Sequence, residues 1–208
     1  MITIEQWGLV DYRTAWHRQE ELVKQVQSHH APNTLVLCHH PTVITMGRNG
    51  SDAHIRSSEV QKSPQQVDII PINRGGDVTL HNPWQLVGYP IFRLTDYKED
   101  LHWFLREIEQ CIIDLVGMYG IEAKRIEGLT GVWTQNENKL CAIGIHCSRW
   151  VVSHGFALNV CNDISEFDMI IPCGIKEKGV TSVQKEVIDS VDFDEIMGQC
   201  GQIFLQHF

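Results

Sequence analysis

The chain has 208 residues, 43% of them hydrophobic, which is enough to bury the core of a single domain spanning residues 1–208. Its 26 acidic residues outnumber 17 basic ones, and the net charge of −9 argues against nucleic-acid binding, which needs clustered positive charge. No apolar run approaches the roughly 18 residues of a membrane span, and the N-terminal sequence MITIEQWGLVDYR is acidic where a signal peptide would be basic. We therefore expect a soluble, untargeted protein without a membrane or nucleic-acid partner.

The cysteines point to a reducing compartment. There are seven, an odd number, and they form no CxxC pair; they occupy positions 38, 111, 141, 147, 161, 173 and 200. Because disulfides are rare where glutathione keeps thiols reduced, this usage favours a cytoplasmic location.

The first half of the chain alternates between helix and short strands. Apolar residues recur at helical spacing over 11–27, which predicts an amphipathic helix. Short apolar runs then predict strands over 34–39, 42–46, 67–73 and 85–92, and the polar segment 51–66 is expected to be a loop with some helix.

The second half repeats the pattern. A continuous apolar stripe predicts a helix over 101–119, with Gly120 as its C-terminal stop. Alternating segments predict strands over 131–134, 139–147 and 150–160, and a last helix over 193–207 opens at the cap pattern of Asp192 and Glu195. This order predicts an α/β (α+β) fold, a mixed β-sheet packed by helices, with a strand order that the pattern leaves open.

Cys173 is the first candidate for chemistry. Pro172 restricts the backbone before it and Gly174 frees the backbone after it, so a sharp turn is expected at the thiol. Lys176 and Lys178 follow closely, and positive charge near a thiol favours the nucleophilic thiolate.

A glycine-rich segment is the second candidate. Arg74, Gly75 and Gly76 follow a predicted strand and lead into DVTLHNPWQLVGYPI, residues 77–91. Paired glycines allow positive φ and let a ligand approach the backbone closely, which is typical of a binding loop.

Three stretches together carry a resemblance to a known family: RGGDVTLHNPWQLVGYPI at 74–91, the Lys139 strand with AIGI at 142–145 and HGFALNV at 154–160, and the IPCG turn. In this combination the chain resembles the lipoyl(octanoyl) transferases, octanoyl-[acyl-carrier-protein]:protein N-octanoyltransferases. The resemblance runs from HHPTVITMGR at 39–48 through GVTSV at 179–183. It implies the fold shared by lipoate and biotin protein ligases.

The resemblance also implies a set of functional residues. Cys173 would be the acyl-thioester nucleophile and Lys139, which in isolation would be interpreted as a solvated residue at a strand start, would be its acid/base partner. The acyl pocket would be lined by Arg74, Gly75, Gly76, Asp77, Val78, Thr79, Leu80 and His81, by Ala142, Ile143 and Gly144, and by Gly155, Phe156 and Ala157.

The implied reaction needs neither a metal nor a nucleotide cofactor. Its donor would be octanoyl-acyl carrier protein, and its acceptors would be lipoyl domains of 2-oxoacid dehydrogenases and the glycine cleavage H protein. The sequence departs from the family pattern at one place in the glycine-rich segment. The family usually has HGPGQ there, and this chain has Asn82 and Trp84 in place of the two glycines. The Trp84 side chain is expected either to fill part of the acyl tunnel or to pack outward.

Three other interpretations remain open. An ATP-dependent lipoate or biotin ligase would share the fold and would not need Cys173, and a noncatalytic acyl-binding protein would share the pocket. A zinc site at Cys38, His39 and His40 is disfavoured because no regular ligand spacing appears.

Overall fold

A large mixed sheet forms the centre of the computed structural model, which describes residues 2–171 and 178–208. The sheet has seven strands among these residues, in the order β1-β2-β6-β10-β9-β8-β7. They are β1 (Thr3–Leu9), β2 (Thr34–His39), β6 (Gln85–Ile91), β7 (Ala123–Ile126), β8 (Leu129–Thr134), β9 (Lys139–Ser148) and β10 (Val151–Asn159). β1 and β2 pair in parallel, whereas the other neighbours are antiparallel.

A second, smaller sheet lies beside it. Its strands are β3 (Val43–Met46), β4 (Asp68–Pro71) and β5 (Val78–His81), in the order β4-β3-β5. β3 pairs in parallel with β4 and antiparallel with β5. β5, which follows Gly75 and Gly76 in the chain, is therefore an edge strand of the small sheet.

Helices cover both faces of the large sheet. The helices are α1 (Tyr12–Gln27), α2 (Ser57–Lys62), α3 (Leu101–Gly117), α4 (Val183–Glu186) and α5 (Phe193–His207). Successive residues of a strand point to opposite faces, so Val36 and Cys38 of β2 pack in the α1 cluster while Leu35 and Leu37 pack in the core shared with α3 and α5. The sheet is thus buried between two helical layers.

Short polar side chains begin the three long helices. Asp11 accepts a hydrogen bond from the Thr14 backbone, Asp100 from Trp103, and Asp192 from Asp194 and Glu195. Each satisfies amide groups that the first helical turn leaves without partners. The cap predicted at residue 192 is confirmed.

The mixed sheet packed by helices is confirmed, and the strand over 34–39 has the predicted bounds. The sequence patterns missed β1, β5 and β7. β1 and β7 are edge strands with mostly exposed or half-buried residues, and β5 is a four-residue strand within the glycine-rich segment. Such strands depend on pairing with a neighbour rather than on their own apolar alternation. No helix in the described ranges is both long and apolar enough to span a bilayer.

Candidate active site

A partly enclosed cavity lies between the glycine-rich segment with β5 on one side and β6, β9 and β10 on the other. Most of the residues expected to form an acyl pocket line it: Arg74, Gly76, Asp77, Val78, Thr79, His81, Ala142, Ile143, Gly144, Gly155, Phe156 and Ala157. Lys139 lines the same cavity. The fold therefore brings together stretches that are far apart in the chain.

Two of the expected pocket residues lie off the cavity lining. Leu80 is fully buried in a separate apolar cluster with Ile44 and Phe167. Gly75 contributes its backbone instead, because its N–H donates to the carbonyl of Ile145 at 2.9 Å. Both support the cavity wall from behind rather than facing its interior.

Arg74 holds the glycine-rich segment in place. Its Nη2 donates to the Thr45 carbonyl at 2.9 Å and to Thr45 Oγ1 at 3.0 Å, and its Nη1 donates to the Gly75 carbonyl at 3.0 Å. The side chain is almost completely buried. These bonds tie the segment to β3 of the small sheet.

Gly144 permits the close approach of this segment to β9. A Cβ built on Gly144 would lie 2.8 Å from the Gly75 carbonyl oxygen, closer than real Cβ contacts. Any larger residue would push the segment away from the sheet. The glycine of AIGI is therefore explained by packing between two parts of the cavity wall.

Lys139 is the first residue of β9 and is buried, with 6% of its surface exposed. Its backbone is held from both sides, since its N–H donates to the Gly179 carbonyl at 2.9 Å and its carbonyl accepts from Thr181 N–H at 3.0 Å. Its Nζ lies 4.6 Å from the ring centroid of Trp133. The side chain is thus a buried amine at the cavity wall.

Cys173 lies outside the described residues, as do Pro172, Gly174 and Lys176. The described chain before it ends at Ile171, whose N–H donates to the His54 carbonyl at 2.8 Å. On the C-terminal side of Cys173, Val180 lines the cavity and forms a parallel β-bridge with Lys139. The role expected for Cys173 stays a prediction.

Four polar residues that the sequence patterns did not identify as pocket residues also line the cavity. Tyr12, Gln85, Tyr89 and Asn159 line it together with His81. His81 Nδ1 hydrogen-bonds to Gln85 Oε1 at 2.8 Å, and the Tyr12 ring stacks on His81 with centroids 5.5 Å apart. The signal available for Tyr12 was its place on the buried face of α1, which core packing explains equally well.

The buried imidazoles of the cavity lining and of His40, which contacts His81, are neutral at neutral pH. Burial lowers the pKa of His40 to about 4, that of His154 to about 3, and that of His81 well below its usual range. His40 Nε2 hydrogen-bonds to the Tyr89 hydroxyl at 2.7 Å, and His154 Nε2 donates to Asn73 Oδ1 at 2.7 Å. These histidines line and support the cavity as uncharged hydrogen-bonding groups.

Of the two alternatives for Trp84, the structure shows the second: the side chain packs outward and does not fill the cavity. The Trp84 side chain is 51% exposed and lies off the cavity lining. Its ring centroid is 5.2 Å from that of His39 and 5.5 Å from that of Phe193. Its φ of +68° is in the left-handed region that favours glycine. Backbone conformation therefore explains why the family pattern has glycine at this position.

Asn82, at the other departure, is buried and forms several hydrogen bonds. Its Nδ2 donates to the Asp163 carbonyl and to Glu166 Oε2, both at 2.8 Å, and its Oδ1 accepts from Asn162 Nδ2 at 2.8 Å. The side chain thus links the glycine-rich segment to the stretch before Ile171.

The zinc hypothesis gains no support from the described ranges. The side chains of Cys38 and His40 lie close together, with Sγ and Nε2 3.6 Å apart, whereas the His39 ring packs against Trp84. Within residues 2–171 and 178–208 no three His, Cys, Asp or Glu side chains are grouped as metal ligands.

A family model and the curated relatives show the family of this chain, and solved structures show its fold. A model of the lipoyl protein ligase A/B catalytic domain matches residues 11–205. The octanoyltransferase of Solibacter usitatus is 46% identical, over 99% of this chain and 90% of that protein. The bi-partite lipoate protein ligase of Thermoplasma acidophilum superposes with a TM-score of 0.74 at 13% identity, covering 100% of this chain and 84% of that one. Biotin protein ligase from Aquifex aeolicus gives 0.54 at 11% identity, covering 100% and 68%. The two structures confirm the expected ligase-like fold.

Proposed function

This chain belongs to the octanoyltransferases, acyltransferases of the lipoyl protein ligase A/B catalytic-domain family, and we propose that it transfers octanoyl groups through a thioester on Cys173. Lys139 is the proposed acid/base partner. The observation that carries this proposal is the buried Lys139 amine on the wall of a cavity that is lined by the glycine-rich segment and by apolar residues of β9 and β10.

The first half-reaction forms the acyl-enzyme. A thiol has an ordinary pKa of about 8.5, so a nucleophilic cysteine needs a base or a cation beside it. The Cys173 sulfur attacks the thioester carbonyl of the donor, a carbon–sulfur bond to the enzyme forms and the bond to the donor sulfur breaks. Lys139 accepts the proton that leaves Cys173 and transfers it to the departing donor thiolate.

The second half-reaction forms the amide. The amine of an acceptor lysine attacks the enzyme thioester, a carbon–nitrogen bond forms and the bond to Cys173 breaks. Lys139 accepts the proton that the amine loses and returns it to the Cys173 thiolate. Conversion of a thioester to an amide is downhill, so no nucleotide is consumed.

The family implies an acyl donor and a lipoyl-domain acceptor in general. We propose octanoyl-acyl carrier protein as the specific donor, because its thioester supplies the activated acyl group that the two half-reactions need. Lipoyl domains of 2-oxoacid dehydrogenases and the glycine cleavage H protein are the proposed acceptors.

The rival chemistry is activation of a free acid with ATP, as a lipoate ligase would perform. Incubating the protein with octanoyl-carrier protein and a lipoyl domain, without ATP, should give octanoyl-lysine. Free octanoate with ATP should give none. Product only in the second mixture would reject the thioester route in favour of adenylation.

The acyl-enzyme provides a direct test of residue roles. With donor and no acceptor, mass spectrometry should find one octanoyl adduct, on Cys173. Cys173→Ala and Lys139→Ala should each abolish transfer, whereas Cys161→Ala, at a half-buried cysteine off the cavity lining, should keep it. An adduct on another cysteine would overturn the assignment.

A further inference from the structure

The indole of Trp133 lies directly beside the Lys139 amine. Trp133 is 1% exposed, and Lys139 Nζ stands 4.6 Å from its ring centroid, within the range of a cation–π interaction. We propose that Trp133 is a positioning residue for Lys139. Its indole holds the ammonium group against the cavity wall, where that group protonates the departing donor thiolate. The inference rests on the proposed octanoyl transfer.

A register shift between β8 and β9 creates this pair. Val132 pairs with Cys141, whereas Trp133 pairs with Lys139, so the ladder shifts by one residue between them. Without the shift Trp133 would lie opposite Leu140, which is fully buried in the main core. Because successive strand residues point to opposite faces, the irregularity puts the indole on the same face as the lysine.

Gly131 makes the irregularity possible. Its φ is +130°, and a Cβ there would lie 2.6 Å from the Cys141 carbonyl oxygen and 3.6 Å from Lys139 Cε. Any other residue would collide with β9 directly before the register shift between Val132 and Trp133. Glycine at this position therefore lets β8 approach close to the lysine stem.

A buried carboxylate holds Gly131. Its N–H donates to Glu109 Oε1 at 3.0 Å, and Glu109 is fully buried in α3. Glu109 Oε2 pairs with Arg106 at 2.7 Å and Arg125 at 3.0 Å, so its charge is compensated. The start of β8 is thus anchored to the helix layer behind it.

A second lysine approaches the same ring without opposing the first. Lys178 Nζ lies 5.9 Å from the Trp133 centroid and forms an ion pair with Glu137. Glu137 also lies 3.8 Å from Lys124. Because the carboxylate offsets the Lys178 charge, repulsion between the two lysines over one indole is reduced.

An aromatic face suits the proposed chemistry. It attracts an ammonium through the ring quadrupole and, unlike a carboxylate, does not fix one N–H in a strong hydrogen bond. The contact with the ring therefore does not itself prevent the amine from turning toward the reacting sulfur in each half-reaction. The backbone of Lys139 is held by its bonds to Gly179 and Thr181, and the indole adds a contact at the far end of the side chain.

The kinetic test compares Trp133→Phe with Trp133→Leu. Phenylalanine keeps an aromatic face and should retain kcat within about threefold, whereas leucine should lower kcat about tenfold with little change in KM. Trp103→Leu, at a half-buried aromatic that packs against the core beside Phe104 and Phe208 and lies off the cavity lining, is the control and should keep the wild-type kcat. Wild-type kcat in Trp133→Leu, or equal losses in both Trp133 variants, would overturn the proposal.

A spectroscopic measurement decides the same question without turnover. In wild-type protein and in Trp133→Phe, the Lys139 Cε methylene protons should show the upfield NMR shift of nuclei above an aromatic ring, and in Trp133→Leu they should not. An unshifted wild-type signal would overturn the positioning role. A shifted signal in a protein that fails to transfer octanoyl would instead reject the proposed function alone.

Discussion

His54 Nδ1 and Asp77 Oδ2 lie 2.6 Å apart, and this contact joins the segment around His54 to the glycine-rich segment. The His54 carbonyl accepts from the backbone of Ile171, and Asp77 lines the cavity. One residue therefore contacts both the cavity wall and the last described residue before the proposed nucleophile.

Breaking this pair should impair acyl-enzyme formation more than folding. His54→Ala removes a partly exposed polar contact, so the free energy of unfolding should fall by no more than about 1 kcal/mol. The rate of Cys173 acylation should fall several-fold, measured by rapid-quench mass spectrometry. His17→Ala removes a similar pair with Glu21 on the exposed face of α1 and should change neither quantity. Equal acylation rates in both variants would contradict the prediction.

The left-handed backbone at Trp84 should be measurable as strain. Trp84→Gly and Trp84→Ala both remove the indole and its contacts with His39 and Phe193, but only alanine keeps a Cβ at φ +68°. The glycine variant should be more stable by about 1 kcal/mol in urea unfolding. An alanine variant as stable as the glycine variant would show that this conformation costs nothing.

Adding one methyl group at Gly144 should reduce activity by displacing the glycine-rich segment. The Cβ of Gly144→Ala would meet the Gly75 carbonyl, so we expect a raised KM for the octanoyl donor. Gly198→Ala is the matched control, because Gly198 is exposed inside α5 with open space around it. That variant should keep its KM and gain about 0.5–1 kcal/mol of stability from the better helix former.

The buried histidines should make the protein less stable in mild acid. An unfolded histidine has a pKa of about 6.5, whereas burial lowers the pKa of His40 to about 4 in the fold. As the pH falls from 6.5 toward 4, the unfolded chain takes up a proton that the folded chain refuses, so stability is lost across that window. His40→Gln should reduce the slope by up to about 1.4 kcal/mol per pH unit.

The measurement for this prediction is urea unfolding at a series of pH values. His102→Gln, at an exposed position on α3, should leave the slope unchanged. An unchanged slope in His40→Gln would contradict the assignment of His40 as a buried neutral base.

Sequence patterns predicted the elements whose stabilising contacts follow a regular period. The α3 helix was predicted from its apolar stripe and the 34–39 strand from its apolar run, and both are confirmed. The family motif predicts Leu80 in the pocket together with its neighbours in the chain. In the structure, the alternation of side chains along β5 instead buries Leu80 in a separate cluster.

By itself, the sequence determined the family and the long helices, and it indicated the stretches proposed to carry the chemistry, because motifs and apolar periods are local properties of the chain. The tertiary structure alone decided that Trp133 lies opposite Lys139, that Trp84 packs outward, and that Tyr12 joins the cavity. Strand register and the contacts between distant segments depend on non-local packing. A shift of one residue between Val132 and Trp133 reverses the face that a side chain occupies, and no local pattern specifies that shift.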